Sequence, residues 1–401
     1  MMNFIIKLLF LVSMVSSKVT LKNSDFETQP TNLSTNATSQ FILLDPKINV
    51  IPGWKFNGTV WYVTAGGNVS LPGNGHGLQL GPNGMINQTF KPDGSYDYVL
   101  TFTLAPSSPD CANSSTAVNV SGPSATEVFF FKESLGTEMW QTYAYSLWRE
   151  QTQKSLMSVK IQSTATTNSN NVTCWPIIDT ILVTGIESPR MYSDNGFVNS
   201  GFEVGPTFLK NSSQGVLLEA DSSYRSSSVQ SPLQSWTVLG TVKYIDSKHY
   251  AVPRGRGAVE LVSGNPSGIT TDVTFLKHGQ VTLDFIMGDA NDTCVGDFTV
   301  FLQVGDVIWN FTMRSIGVGS REARSVSFEA KFSTTESIPI SFFSYNETRN
   351  SHGVLCGPVI DSTVLRFSNL RFSNGFRLKS HKHTGLVLFC FVLAVTFMFY
   401  I

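Results

Sequence analysis

The chain repeats itself. Trp54, Gly58-Thr59-Val60 and Tyr62 return as Trp236, Gly240-Thr241-Val242 and Tyr244, at an offset of 182 residues. Cys174-Trp175-Pro176-Ile177-Ile178-Asp179 returns at the same offset as Cys356-Gly357-Pro358-Val359-Ile360-Asp361, and Cys111 and Cys294 stand 183 residues apart. Near the start of each half, Asn23-Ser24-Asp25-Phe26-Glu27 is answered by Asn199-Ser200-Gly201-Phe202-Glu203. An offset held to within one residue between the tryptophan motif and both cysteines means two homologous domains in tandem, each of ordinary domain size. The boundaries are residues 18–187 and 195–372, with Ser188-Pro189-Arg190 breaking the last strand of the first domain.

Both copies carry a β pattern. Val99–Leu104 and Val281–Ile286 are matched strands, as are Val128–Phe131 and Val307–Phe311, and Ile178–Val183 and Ile360–Leu365. Short β-branched and aromatic runs divided by Gly, Pro, Asn and Ser indicate a sandwich, and no long amphipathic helix stands out. A domain of about 170 residues with some eight strands suits a jelly roll better than an immunoglobulin fold of about 100. The fold expected is therefore all-β, two tandem jelly-roll sandwiches.

The two ends predict a compartment. Lys7 followed by the apolar run Leu8–Val15, with small residues at Val15 and Ser17, is the pattern of a secretory signal peptide over residues 1–17. At the other end Ser373-Asn374-Gly375, a polar spacer and the apolar run Leu386–Ile401 match a glycosylphosphatidylinositol attachment signal over residues 373–401, with Asn374 or Ser373 as the attachment residue. A retained C-terminal transmembrane helix is the alternative, although spanning wants about 20 apolar residues. Twelve Asn-X-Ser/Thr sequons, at Asn32, Asn36, Asn57, Asn68, Asn87, Asn113, Asn119, Asn171, Asn211, Asn291, Asn310 and Asn346, agree with secretion. With Cys390 in the tail, four cysteines remain, an even number suited to an oxidising compartment. Since each domain holds one early and one late cysteine, the expected pairs are Cys111–Cys174 and Cys294–Cys356. Only 14% of residues are charged and the net charge is −1, so nothing points to nucleic acid.

Together, Asn-Ser-Asp/Gly-Phe-Glu, Ile51-Pro52-Gly53-Trp54, Val252–Leu261, Gly288-Asp289-Ala290-Asn291-Asp292-Thr293-Cys294 and Cys356–Asp361 resemble the plant DUF642 cell-wall proteins over about residues 20–370. The resemblance implies tandem galactose-binding-like domains similar to carbohydrate-binding modules, placed in the cell wall or at the outer face of the plasma membrane. It implies pectic or cellulosic polysaccharide as ligand and pectin methylesterase as a protein partner. The first half departs from the motif, carrying Ala105-Pro106-Ser107-Ser108-Pro109-Asp110-Cys111 in place of the Gly-Asp-Ala run. Related jelly rolls hold a structural calcium ion between an N-terminal Phe-Glu and a late Ile-Asp, which here selects Glu27 with Asp179 and Glu203 with Asp361. Capping of a strand or turn by the same carboxylates is the other reading.

Sugar rings stack on aromatic faces while polar edges meet their hydroxyls. Trp54 and Trp236 recur at matched positions, the mark of shared core residues. Trp61, Trp140 and Trp148 have no aromatic counterpart in the second copy and are the candidate platform on the first domain. Catalysis is not expected: the chain has no Gly-X-Ser-X-Gly elbow, no His-Glu-X-X-His and no repeated His/Cys spacing for zinc. The expected function is non-catalytic binding of wall polysaccharide, or of a wall-modifying enzyme, with no catalytic cofactor.

Overall fold

A computed structural model describes residues 17–19, 21–33, 39–93, 96–123, 125–147, 156–167, 173–187, 196–209, 214–220, 231–275, 279–330 and 337–367. Residues 1–16 of the signal segment, the attachment residues Ser373 and Asn374, Trp148, and the sequons Asn36, Asn171 and Asn211 lie outside them, whereas Ser17 opens a strand that pairs with Gly185. The described residues are strands joined by turns and three 3-10 turns, with no α-helix among them.

The first domain is a two-sheet sandwich. Its front sheet runs Gln141–Leu147, Tyr96–Ala105, Ile177–Glu187, His76–Leu80, Val60–Thr64 and Phe41–Leu43. Its back sheet runs Lys55–Asn57, Met85–Phe90, Met157–Thr167, Asn113–Ser121 and Thr126–Lys132. The second domain repeats this plan with fewer breaks. Thr237–Asp246 and Gly257–Val273 each cross both sheets: Val259 and Glu260 pair with Val359–Phe367, and residues 267–273 of the same strand pair with Ile338–Ser344.

The repeated glycine explains itself at the crossing. Gly58 and Gly240 have φ of +68° and +62°, and a Cβ on either would lie 2.1 Å from Asn83 O or 2.6 Å from Ser263 O. Only a residue without a side chain fits a left-handed backbone pressed against a carbonyl.

The repeated Asn-Ser-X-Phe-Glu motif builds a second shared device. Asn23 and Phe26 take φ of +48° and +54°, and Asn199 and Phe202 take +49° and +50°. Each asparagine side chain clamps its own loop, accepting from the Thr28 N–H at 2.9 Å in one copy and from the Val204 N–H at 3.0 Å in the other. The loops close over the buried indoles. Trp54 Nε1–H donates to Asn23 O at 3.1 Å, and Trp236 Nε1–H donates to Val198 O at 3.0 Å. Tyr62 and Tyr244 hydroxyls donate to the Phe26 and Phe202 carbonyls at 3.1 and 2.8 Å. Each buried indole or phenol thus keeps its polar atom paired, as burial requires. Disulfides join Cys111 to Cys174 and Cys294 to Cys356, closing loops of 63 and 62 residues. On the chain-entropy account each contributes roughly 4 kcal/mol.

The domains are joined by main chain as well as by linker. Thr142 and Tyr143, at the edge of the first front sheet, pair in parallel with Val216 and Leu217. Val99, Ala144 and Ile186, which point outward from that sheet, are buried in the core of the second domain.

Candidate functional site

The carboxylates singled out for calcium sit at the motif loops. In the first domain Glu27 accepts the His76 N–H at 2.7 Å, and its other oxygen meets His76 Nδ1 at 2.8 Å. Asp179 is 1% exposed and accepts the Thr180 N–H. Burial pushes the Asp179 carboxyl well up; the Thr180 hydrogen bonds oppose this, and the charges of Glu27 and Asp25 add to it. Two acidic groups beside a buried carboxylate are a charge surplus that a divalent cation would neutralise, and hard oxygen donors suit calcium. The first-domain set fits on that ground. The second domain fits less well. Both oxygens of Asp361 accept backbone N–H groups, from Ser362 and Arg254, and Glu203 is met by the Arg256 guanidinium at 3.5 Å. A charged side chain there stands where the first domain has His76. Among the described residues no cluster of three or more His, Cys, Asp or Glu side chains is placed to hold a metal, so main-chain carbonyls would have to complete either set.

Of the first-domain aromatic candidates, Trp140 is corrected by the structure, and Trp148 lies outside the described residues. Trp140 is only 4% exposed, buried among Val63, Val69, Leu71, Ala105 and Ile177 and against Leu209 of the second domain. The faces of Trp140 are occupied, so it is an interdomain core residue. Trp61 is half-buried in the same cluster, its ring so close to Gly81 that a Cβ there would lie 2.3 Å from it. Trp54 and Trp236, 4% and 0% exposed, are core residues. The outer face of the first front sheet is covered over its central strands: Thr101, Thr103 and Thr142 on it are buried, and Thr184 meets Thr207 of the second domain at 2.5 Å, whereas Leu43 at the far edge is 60% exposed.

An open aromatic cleft lies in the second domain instead. Two strands face one another at the edges of its two sheets, Val307–Ile316 and Arg321–Ala330. Among the described residues each is hydrogen-bonded on one side only, to Val295–Val304 and Gly279–Gly288 respectively. Between them is a cleft of about 540 Å³ lined by Phe301, Trp309, Phe311, Asn310, Ser325 and Ser327. Trp309 and Phe311 form its floor, backed by Phe328 at 6.1 Å and Phe285 at 5.2 Å between ring centroids. Ser325 and Ser327 are exposed on its lip. Arg324 ties the two edges by donating to Thr312 O at 2.9 Å. Half-exposed rings with hydroxyls beside them can stack a pyranose and hydrogen-bond its rim. The strand motif Val307–Phe311 was visible in the sequence, but which of its rings face a cleft depends on which sheet edges are left open.

The turn that joins the two edge strands is built on Asp289. Its carboxylate accepts N–H groups of Asn291, Gly319 and Ser320 and the Ser320 hydroxyl. Burial would raise its pKa, but the Ser320 hydroxyl and these N–H groups outweigh that and hold it below the ordinary value. This gives the Gly-Asp-Ala run its role.

A family model described as protein of unknown function DUF642 matches residues 19–184 and again residues 196–366. The chain belongs to the DUF642 family. The Arabidopsis thaliana protein DUF642 L-galactono-1,4-lactone-responsive gene 2 is 31% identical over 376 residues, spanning 89% of this chain and 96% of its own. Protein TEEBE, also from Arabidopsis thaliana, is 30% identical over 354 residues, spanning 86% of this chain and 90% of its own. Among solved structures, the N-terminal CBM22-1-CBM22-2 tandem domain of Paenibacillus barcinonensis Xyn10C overlaps 84% of this chain and 100% of its own at 10% identity. The TM-score is 0.28, and the match carries no argument about ligand.

In this DUF642 chain the described sequons lie at the surface. Asn32, Asn57, Asn68, Asn291, Asn310 and Asn346 are exposed, and Asn87 and Asn119 are half-buried. Asn57, Asn87 and Asn119 all point outward from the first back sheet, alternating with the inward residues Phe56, Ile86, Val118 and Val120. Asn113 lies in the strand Asn113–Ser121.

Proposed function

We propose that this DUF642 protein is a non-catalytic, extracellular cell-wall protein that binds wall polysaccharide through the Trp309–Phe311 cleft of its second domain. The observation that carries the reading is the pairing of two half-exposed aromatic rings with the Ser325 and Ser327 hydroxyls on an unpaired sheet edge. The signal-like start, the lipid-attachment-like end and the sequons support a glycosylated chain held at the outer face of the plasma membrane. The same reading gives a structural calcium ion to Glu27 and Asp179, with Glu203 and Asp361 as the weaker pair. Calcium there would brace the loop over Trp54 rather than touch the polysaccharide.

A second reading, docking of a wall-modifying enzyme such as pectin methylesterase, is favoured by the interdomain cleft. That cleft, about 720 Å³, is lined by Lys132, Glu133, Glu138, Arg349 and His352. Charges of both signs around a concave surface suit a protein partner.

The test is retention of the secreted, glycosylated protein on pectins, hemicelluloses and cellulose, with and without chelator. Retention lost in Ser327→Trp, which fills the cleft from its exposed lip, and kept in Trp61→Ala supports the polysaccharide reading. No retention on any wall polymer sinks it, and capture of pectin methylesterase by such a protein leaves the second reading. A lower melting temperature after chelation supports calcium; indifference removes it.

A further inference from the structure

The outer face of the second back sheet carries an aromatic patch that meets the cleft only at Phe301, Ile308 and Asn310. Along Val295–Val304, Phe298, Val300 and Leu302 point into the core, so Thr299, Phe301 and Gln303 point out. Phe301 pairs across the strands with Phe343 on one side and with Asn310 on the other. The Phe301 and Phe343 rings stack at 5.5 Å and 14°, and Tyr345 packs edge-on to both at 5.5 and 5.4 Å. Tyr345 is 52% exposed and Ile308, beside the patch, is 54% exposed. Phe343 is itself buried, but the exposed apolar surface of Tyr345 and Ile308 beside the edge strand Val307–Ile316 is a liability for pairing with another chain.

Two sequons flank this patch. Asn310 is directly cross-strand from Phe301, a separation of about 5 Å between Cβ atoms in such pairs. Asn346 follows Tyr345 in sequence, and both asparagines are exposed. We infer that an N-linked glycan on Asn310 folds across Phe301 and Tyr345, its first N-acetylglucosamine stacking on the aromatic patch. Its role is structural: the sugar covers the apolar surface and blocks edge-to-edge pairing of Val307–Ile316. The C–H face of a pyranose meets an aromatic ring as an apolar surface does, and a sugar tethered across the strand loses little freedom on stacking. The glycan lies on the outer face, whereas Trp309 and Phe311, opposite the core residues Leu302 and Val300, point to the other side of the strand.

This inference rests on the proposal that the protein is secreted and glycosylated. Glycopeptide mass spectrometry of the full secreted protein reads that first. Occupancy of Asn310 is expected; occupancy of other sequons with Asn310 bare overturns the inference alone, and no occupancy anywhere overturns the secretion reading too. The decisive measurement is a thermal double-mutant cycle. Asn310→Gln should lower the melting temperature by roughly 2–4 °C and raise the aggregated fraction on heating. In Phe301→Leu, which keeps apolar volume but removes the ring, the same change should cost almost nothing. Trimming the wild type to a single N-acetylglucosamine should preserve the melting temperature, and Asn68→Gln, remote from any such patch, should be silent. Equal losses for Asn310→Gln in the Phe301 and Leu backgrounds would overturn the inference.

Discussion

The two domains share a chassis and differ in what they do with their edges. In the first, the edge strand Gln141–Leu147 is taken by Val216–Glu219, and the outer face of its sheet beside that edge is buried under the second domain. In the second, the corresponding edge Arg321–Ala330 has no further partner among the described residues, and a cleft opens beside it. The connections differ to match. Residues 133–140 of the first domain form a long arch, with the 3-10 turn Glu133–Leu135, that lines the interdomain cleft. Residues 317–320 of the second form a short turn tied down by Asp289. The sheet registers Ala105↔Ile177 and Gly288↔Val359 place Pro106 where Asp289 stands. Duplication supplied two similar sandwiches; one spent its edge on docking, which left the other with an open cleft.

The sharpest divergence is one cross-strand pair. Trp61 faces Gln79 in the first domain, and Lys243 faces Glu260 at the matching place in the second. Lys243 Nζ lies 3.1 Å from Glu260, both buried, and Glu260 also accepts the Gly357 N–H at 3.0 Å. Burial pushes Glu260 up to about 7 against the opposing charge of Lys243; burial also opposes the charge on Lys243, but Glu260, Tyr250 and Asp292 together hold its pKa above the ordinary value. Lys243→Ala should therefore have the largest effect, about 3–5 kcal/mol, because it leaves a buried carboxylate alone. Chemical denaturation reads this, and a loss below about 1 kcal/mol would mean the pair is not desolvated. The double change Lys243→Trp with Glu260→Gln imports the first-domain solution and should recover most of that loss.

Next in size are the crosslinks. Opening Cys111–Cys174 or Cys294–Cys356 by Cys→Ala pairs should cost about 2–5 kcal/mol each. Their near-equal loops predict near-equal losses; a gap above about 2 kcal/mol would show that the domains unfold against different denatured states.

Asp289→Ala comes third, at about 1–3 kcal/mol for four donors left without their acceptor. Because the folded Asp289 carboxyl lies below its ordinary value near 3.8, its contribution is present above that value and is lost as pH falls through the depressed one. The difference between wild type and variant, followed by denaturation against pH, should be flat above about pH 5 and shrink below about pH 4. A difference that instead grows in acid would overturn the assignment. Pro106→Asp in the first domain should bring no comparable gain, since no turn presents N–H groups to it. Smallest is Lys132→Ala at the interdomain ion pair with Glu219, 3.3 Å long and with Lys132 38% exposed. Less than about 1 kcal/mol is expected there, because solvent screens it.

Much of this was legible in the chain because repeats carry their own alignment. Six expected strands are present, each a little longer: Val99–Leu104 lies within Tyr96–Ala105, and Ile360–Leu365 within Val359–Phe367. Trp54 and Trp236 were readable as core because both copies retain them. Trp140 was misplaced for the complementary reason. Lacking a counterpart, it looked like a surface specialisation, when its specialisation is contact with Leu209 of the other domain.

What the sequence by itself determined is local or duplicated: two β domains, the motif loops with their asparagine clamps, and glycine wherever φ is positive against a carbonyl. Each depends on a few neighbouring residues and their sterics. What only the tertiary structure decided is which edges are paired and which faces are covered. Alternation along a strand says that two faces exist, but the partner sheet determines which of them is inside. Trp61 sits in a cluster that includes Ile177 and Leu209, more than a hundred positions away, and Trp309 faces an unpaired edge of the opposite sheet; no spacing rule supplies either.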